Sequence, residues 1–150
     1  MMALMLVAAC TLEQRLENGE MQSDSEGTST HRQIIQPEGV ARLPVFSSAV
    51  RTGDLLFLSG QIGALPGVSP PQVIEGGVQA ETHQTMENII TVLEAAGLGL
   101  GDLVKCTVFL ADIADYAAVN EVYASYFQSD PPARSAVAGS GLALGSLVEI

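Results

Sequence analysis

The sequence predicts an α+β fold: one sheet carrying two helices on one face, its other face covered by further copies of the chain. Three observations predict it. Short β-branched runs bounded by Gly, Pro and Asp recur between residues 44 and 150. Two stretches, 78–97 and 115–127, repeat apolar residues at helical spacing. Their order is β-β-α-β-α-β-β, with too few helices to cover both faces of a sheet. At 150 residues the chain is one domain's worth.

Each element has a local cause. PVFSSAV (44–50) and DLLFLSG (54–60) are strand-like and joined by RTGD, whose Gly and Asp suit a hairpin. Residues 63–77 are rich in Gly and Pro and form a loop. Val78, Thr82, Met86, Ile89, Leu93 and Ala96 then line one helical face, and Gly97 ends it. GLGLG (97–101) follows a helix rather than a strand, so it reads as a C-cap and turn, not a phosphate loop. LVKCTVFLAD (103–112) is a strand. Val104, Cys106, Val108 and Leu110 point one way, and Leu103, Thr107 and Phe109 the other; both faces are apolar enough to be covered. Asp115 serves as N-cap for a second helix whose Tyr116, Val119, Tyr123 and Phe127 pack in the core. Pro131-Pro132 stop that element. ARSAVAG (133–139) and SLVEI (146–150) are the last strands. A hairpin about Gly141-Leu142 would set Arg134 opposite Glu149, an ion pair adding roughly 0.2–1 kcal/mol.

Residues 1–33 form a separate region before the domain at 34–150. MMALMLVAAC is wholly apolar, too short to span a bilayer, and lacks the cationic start of a signal peptide. VAAC places Cys10 as the lipidated residue of a lipobox, and the acidic, Ser/Thr-rich stretch after it reads as a solvated tether. That order is expected of a bacterial lipoprotein at the cell envelope, its only link to a membrane. The alternative is a start at Met21 and a cytoplasmic protein.

Seventeen acidic residues against six Lys and Arg give a net charge of −11, which disfavours a nucleic-acid partner. A small anion must then rely on a local cation. Cys10 and Cys106 form no CxxC, and His31 and His83 have no ligand partner nearby, so no metal site is expected. His83 lies off the apolar stripe and reads as solvated. After Lys105 the only cation is Arg134.

SGQIG (59–63), ENIITVLEAAGLGLGDLVKCTVFLADIADYAAVNEVYASYF (87–127) and PPARSAV…LALGSLVEI (131–150) resemble the Rid family, formerly YjgF and also labelled endoribonuclease L-PSP. The resemblance runs through residues 34–150. It implies a chorismate-mutase-like fold, a homotrimer with ligand sites between subunits, and no cofactor. The implied activity is hydrolysis of enamine and imine intermediates, such as 2-aminoacrylate or 2-iminopropionate, to 2-keto acids and ammonia. By resemblance, Arg134 binds the substrate carboxylate, Glu149 positions water, and Ser59 and Asn120 contact the ligand. Two departures stand out. Phe46 falls where relatives often carry tyrosine, leaving it a cleft-wall residue, and Ala136 where many carry cysteine. The chain also stops at Ile150 where relatives continue the strand, as a truncated domain would.

The chemistry suits those residues. A guanidinium grips a carboxylate through two parallel N–H···O bonds, which a lysine cannot do. A glutamate can orient water and take its proton. A second reading, a trimer that binds small carboxylates or protects proteins without catalysis, fits the same anchor. An endoribonuclease conflicts with the charge.

Overall fold

The computed structural model describes residues 31–40 and 43–150. The expected leader and the lipidation reading at Cys10 lie outside them. Six strands and two long helices follow in order: β1 (Gln33–Ile35), β2 (Ala49–Thr52), β3 (Leu55–Leu58), α1 (Gly77–Ala95), β4 (Lys105–Leu110), α2 (Tyr116–Ser125), β5 (Ala133–Ala138) and β6 (Val148–Glu149). Three short 3-10 turns punctuate them. The class is α+β, as expected.

β1, β2 and β3 form an antiparallel sheet, with Ala49 opposite Leu58 and Ile35 opposite Ala49. β1 has no counterpart in the sequence reading, because three residues are too few for a periodic signal. Gly53, with a φ of 54°, turns β2 tightly into β3 as RTGD required. β5 and β6 flank β4, the first parallel to it and the second antiparallel. The expected hairpin between the last two strands is therefore absent. The crossover through α2 brings β5 in parallel to β4, and the chain from 139 to 147 then crosses to β4's other edge.

The two sheets join. Gln61 N–H donates to the Ile150 carbonyl at 2.8 Å, and Ile150 N–H returns the bond at 2.9 Å. Ile62 bridges Glu149 beside them. Residues 61–62 thus prolong the run of β3 and stitch it to β6.

Both helices pack on one face of this combined sheet. Met86, Ile89, Leu93 and Tyr123 form the seam between helices; Val108, Leu110 and Val148 pack on Val119; Ile35 and Ala49 pack on Val92. Burying each such aliphatic side chain is worth roughly 1.5–3 kcal/mol. The apolar stripe foreseen for α1 is here, and Gly97 closes the helix as expected. Gly97 N–H bonds to the Glu94 carbonyl and Leu98 N–H to that of Leu93, while Leu98 packs on the same core.

Three local expectations fail at element ends. The strand expected over 44–50 begins only at Ala49, with residues 44–48 in turn and irregular backbone. β4 begins at Lys105, so Leu103 turns into the helix seam and Val104 is exposed. Asp115 stands at the N-cap position of α2 as expected, but its side chain makes no cap bond; Asp112 caps the 3-10 turn before it, accepting from Ala114 N–H at 2.9 Å. His83 is also partnered, its Nδ1 lying 3.1 Å from the Tyr126 hydroxyl.

On the face away from the helices, Ile34, Phe57, Phe109 and Val137 stay exposed in the single chain.

Candidate functional site

Arg134 sits on β5 in register with Cys106, whose side chain is buried under the helices. Paired residues share a face, so the guanidinium reaches into the same side of the sheet. There α2 offers Tyr116, Asn120 and Tyr123, spaced four and three residues apart and hence on one helical face. Nη2 of Arg134 donates to Asn120 Oδ1 and lies 3.4 Å from the Tyr116 hydroxyl. The guanidinium carbon stands 4.7 Å from the Tyr123 ring centroid and 5.7 Å from that of Tyr116. A cation over an aromatic face gains about 0.5–2 kcal/mol.

These contacts aim the guanidinium without neutralising it. Among the described residues its hydrogen-bond partners are neutral, and all of them use Nη2. Half the fork is left for a planar anion. The Tyr116 phenol is shifted below tyrosine's ordinary range, because Asn120 and Arg134 favour its ionised form. Tyr123 moves the other way, upward, through burial.

Glu149 is elsewhere. It pairs with exposed Phe109 on β4, three residues from Cys106, so it leaves the opposite face of the sheet. The ion pair with Arg134 foreseen as a structural explanation is therefore excluded within one chain. Glu149 lies against Gly60 so closely that a Cβ there would collide with its carboxylate. Ser59 is the next residue. Its hydroxyl donates to the Ser47 carbonyl at 2.7 Å, leaving its lone pairs but not its proton free. Phe46 precedes Ser47 and is exposed. The chain thus carries two candidate half-sites: Arg134 with Asn120 on one face, and Ser59 and Glu149 on the other, with exposed Phe46 nearby in sequence.

α1 holds the second half-site in place. Asn88 donates to the carbonyls of Ile62 and Ala64, both at 2.9 Å. Buried Glu81 accepts from Leu147 N–H at 2.7 Å, two residues before Glu149.

Sequence reasoning placed Tyr116 and Tyr123 in the core and not against a ligand. Tyr123 is buried, but Tyr116 is 41% exposed, and both face Arg134. The spacing Tyr116, Asn120, Tyr123 already put all three on one face. The register of β5 against β4 alone could reveal that Arg134 meets that face.

Comparison with known proteins agrees with this architecture. The family model described as endoribonuclease L-PSP matches residues 39–150. A rat 2-iminobutanoate/2-iminopropanoate deaminase is 43% identical over 82% of this chain and 89% of its own. A RutC family protein of Pyrococcus horikoshii is 44% identical over 70% of this chain and 82% of its own. Among solved structures, RidA from a Psychrobacter species superposes with a TM-score of 0.72 at 38% identity, covering 78% of this chain and 94% of that one. With the family model matching residues 39–150 and a solved RidA structure superposing over most of the chain, the chain belongs to the Rid (YjgF) family.

Proposed function

We propose that the protein is a hydrolase of small 2-imino and 2-enamino acids, releasing ammonia and a 2-keto acid from sites built between the subunits of a homotrimer. The observation that carries this reading is Arg134: a guanidinium aimed by Asn120 and Tyr123, with no carboxylate partner among the described residues. Relatives named 2-iminobutanoate/2-iminopropanoate deaminase, 42–44% identical, support the reaction class.

The substrate carboxylate lies on the open part of the Arg134 fork. A charge-assisted pair of this kind contributes roughly 1.5–3 kcal/mol. An enamine such as 2-aminoacrylate takes a proton on its terminal carbon and gives one up from nitrogen, becoming the imine. Glu149 orients a water toward the imine carbon and accepts its proton as the C–O bond forms. Glu149 passes that proton to the nitrogen, and as the hydroxyl proton follows it the carbinolamine collapses, expelling ammonia and leaving the keto acid. Most of the acceleration comes from holding water and imine in line, since the imine carbon is already electrophilic. Ser59 accepts a hydrogen bond from the ligand or the water, and Phe46 walls the cleft. Asn120 acts through Arg134 by fixing the guanidinium, and so is a positioning residue.

One small molecule cannot touch Arg134 and Glu149 of the same chain across a sheet. Their placement on opposite faces supports a site assembled from Arg134 of one copy and Glu149 of a neighbour. The exposed apolar residues Phe57, Phe109 and Val137 supply the contact surface for such copies.

The test generates 2-aminoacrylate enzymatically and follows pyruvate. The wild-type chain should accelerate its release, and Arg134→Ala should reduce that acceleration about a hundredfold. Carboxylate binding without turnover would instead favour the binding-only trimer. Turnover unaffected by Arg134→Ala would sink the proposal.

A further inference from the structure

We infer that the Tyr116 hydroxyl is a second ligand-binding group, donating a hydrogen bond to the same carboxylate that Arg134 grips. This inference rests on the reading of Arg134 as carboxylate anchor.

The chain has three tyrosines, and only one can serve. Tyr126 donates its hydroxyl to Glu87 Oε1 at 2.9 Å on the outer surface of the helices. Tyr123 is 5% exposed and turns its ring face, not its oxygen, to the guanidinium. Tyr116 stands at the start of α2, open to solvent, with its oxygen 3.4 Å from Arg134 Nη2.

The direction of that contact decides the role. Arginine has only donors, so Nη2 gives its proton and the phenol oxygen accepts it. The Asn120 side chain borders the same hydroxyl. Open to solvent, the phenol can turn its proton to a ligand beside the unused half of the guanidinium fork. A carboxylate arriving on that fork presents a second oxygen within reach of this O–H, and O–H···O⁻ bonds are among the short, strong kind. Asn120 and Arg134 also make this phenol more acidic than usual, which strengthens it as a donor. Phe46, on the other half-site, has no hydroxyl to offer in its place.

The hydroxyl should sharpen choice between ligands. A site built around a donor rejects an analogue that cannot accept from it more strongly than an apolar wall would. A 2-keto acid satisfies Tyr116, whereas the corresponding amide turns an NH₂ toward Arg134 or Tyr116.

The experiment uses the full chain and 2-oxobutanoate, with wild type, Tyr116→Phe and Arg134→Ala compared by calorimetry. With no tryptophan in the chain, tyrosine absorbance reports directly on the ring. Tyr116→Phe should weaken binding about tenfold, reduce the preference for 2-oxobutanoate over 2-oxobutanamide, and abolish the ligand-induced tyrosine difference spectrum. It should raise KM for 2-aminoacrylate and leave kcat within about threefold, the pattern of lost ground-state binding. If Tyr116→Phe binds within twofold of wild type while Arg134→Ala has lost binding, the inference about Tyr116 is overturned and the anchor stands. If wild type fails to bind 2-oxobutanoate, or Arg134→Ala binds it unchanged, the anchor reading fails and this inference with it.

Discussion

At the scale of single residues, the candidate site gathers around one guanidinium whose hydrogen-bond and ring partners among the described residues are all uncharged. Asn120 accepts from it, Tyr123 faces it with a ring, and Tyr116 accepts through its hydroxyl. Each contact costs the cation little of its appetite for an anion. The same contacts write themselves into the tyrosines. Tyr116 ionises below the ordinary range, because its anion gains from Asn120 and Arg134. Tyr126 is pushed up to about 12 by burial, with Glu87 adding to the shift. A spectrophotometric titration should therefore resolve one early tyrosine and two late ones. Arg134→Ala should move the early step upward, since it removes the positive charge that favours the phenolate. An unchanged early step would show that Arg134 and Tyr116 do not meet in solution. The sign for stability also follows. Tyr126 has a folded pKa above its unfolded value near 10, so its contribution is intact below pH 10 and fades as pH climbs toward about 12.

At the scale of elements, α1 is a scaffold for strands that carry the second half-site. Asn88 satisfies the Ala64 carbonyl and reinforces that of Ile62, which also accepts from Ala64 N–H at 2.7 Å. Asn88→Ala would leave the Ala64 carbonyl without this partner in a largely buried place. Expected is a loss of about 2 kcal/mol, read as a lowered midpoint in urea with an unchanged slope. The joint between the two sheets is equally local. Gly60 has no side chain because the Glu149 carboxylate lies where a Cβ would go; its Cδ would be 2.9 Å away. Gly60→Ala must displace Glu149 or bend the joint. Under the proposed mechanism, turnover falls at least tenfold while affinity for 2-oxobutanoate, held by Arg134, changes little. Retained turnover in Gly60→Ala would argue against Glu149 as water organiser. The helix periodicity of α1 was legible in the sequence because a 3.6-residue repeat is a property of the chain itself. Its buried Glu81 and Asn88 were not, since their partners lie dozens of residues away.

At the scale of the whole molecule, the sheet has one dressed face and one bare face. Phe57→Asp puts a charge in the middle of the bare face. If neighbouring copies cover it, sedimentation should report three chains for wild type and one for the variant, with imine hydrolysis lost although Arg134 and Glu149 are both intact. A wild-type monomer would remove the basis for a shared site. The class, the two helices, the hairpin at Gly53 and the Gly97 stop were all readable from residue order. They rest on local rules: side-chain periodicity and turn chemistry. Which strands lie beside β4 was not readable, because β5 and β6 are joined in sequence yet separated in space by a strand laid down earlier. That single topological fact sends Arg134 and Glu149 to opposite faces and turns Tyr116 from a core residue into a neighbour of the guanidinium. Local propensity knows only nearby residues, whereas a parallel crossover is settled by how two helices and six strands bury their apolar faces together.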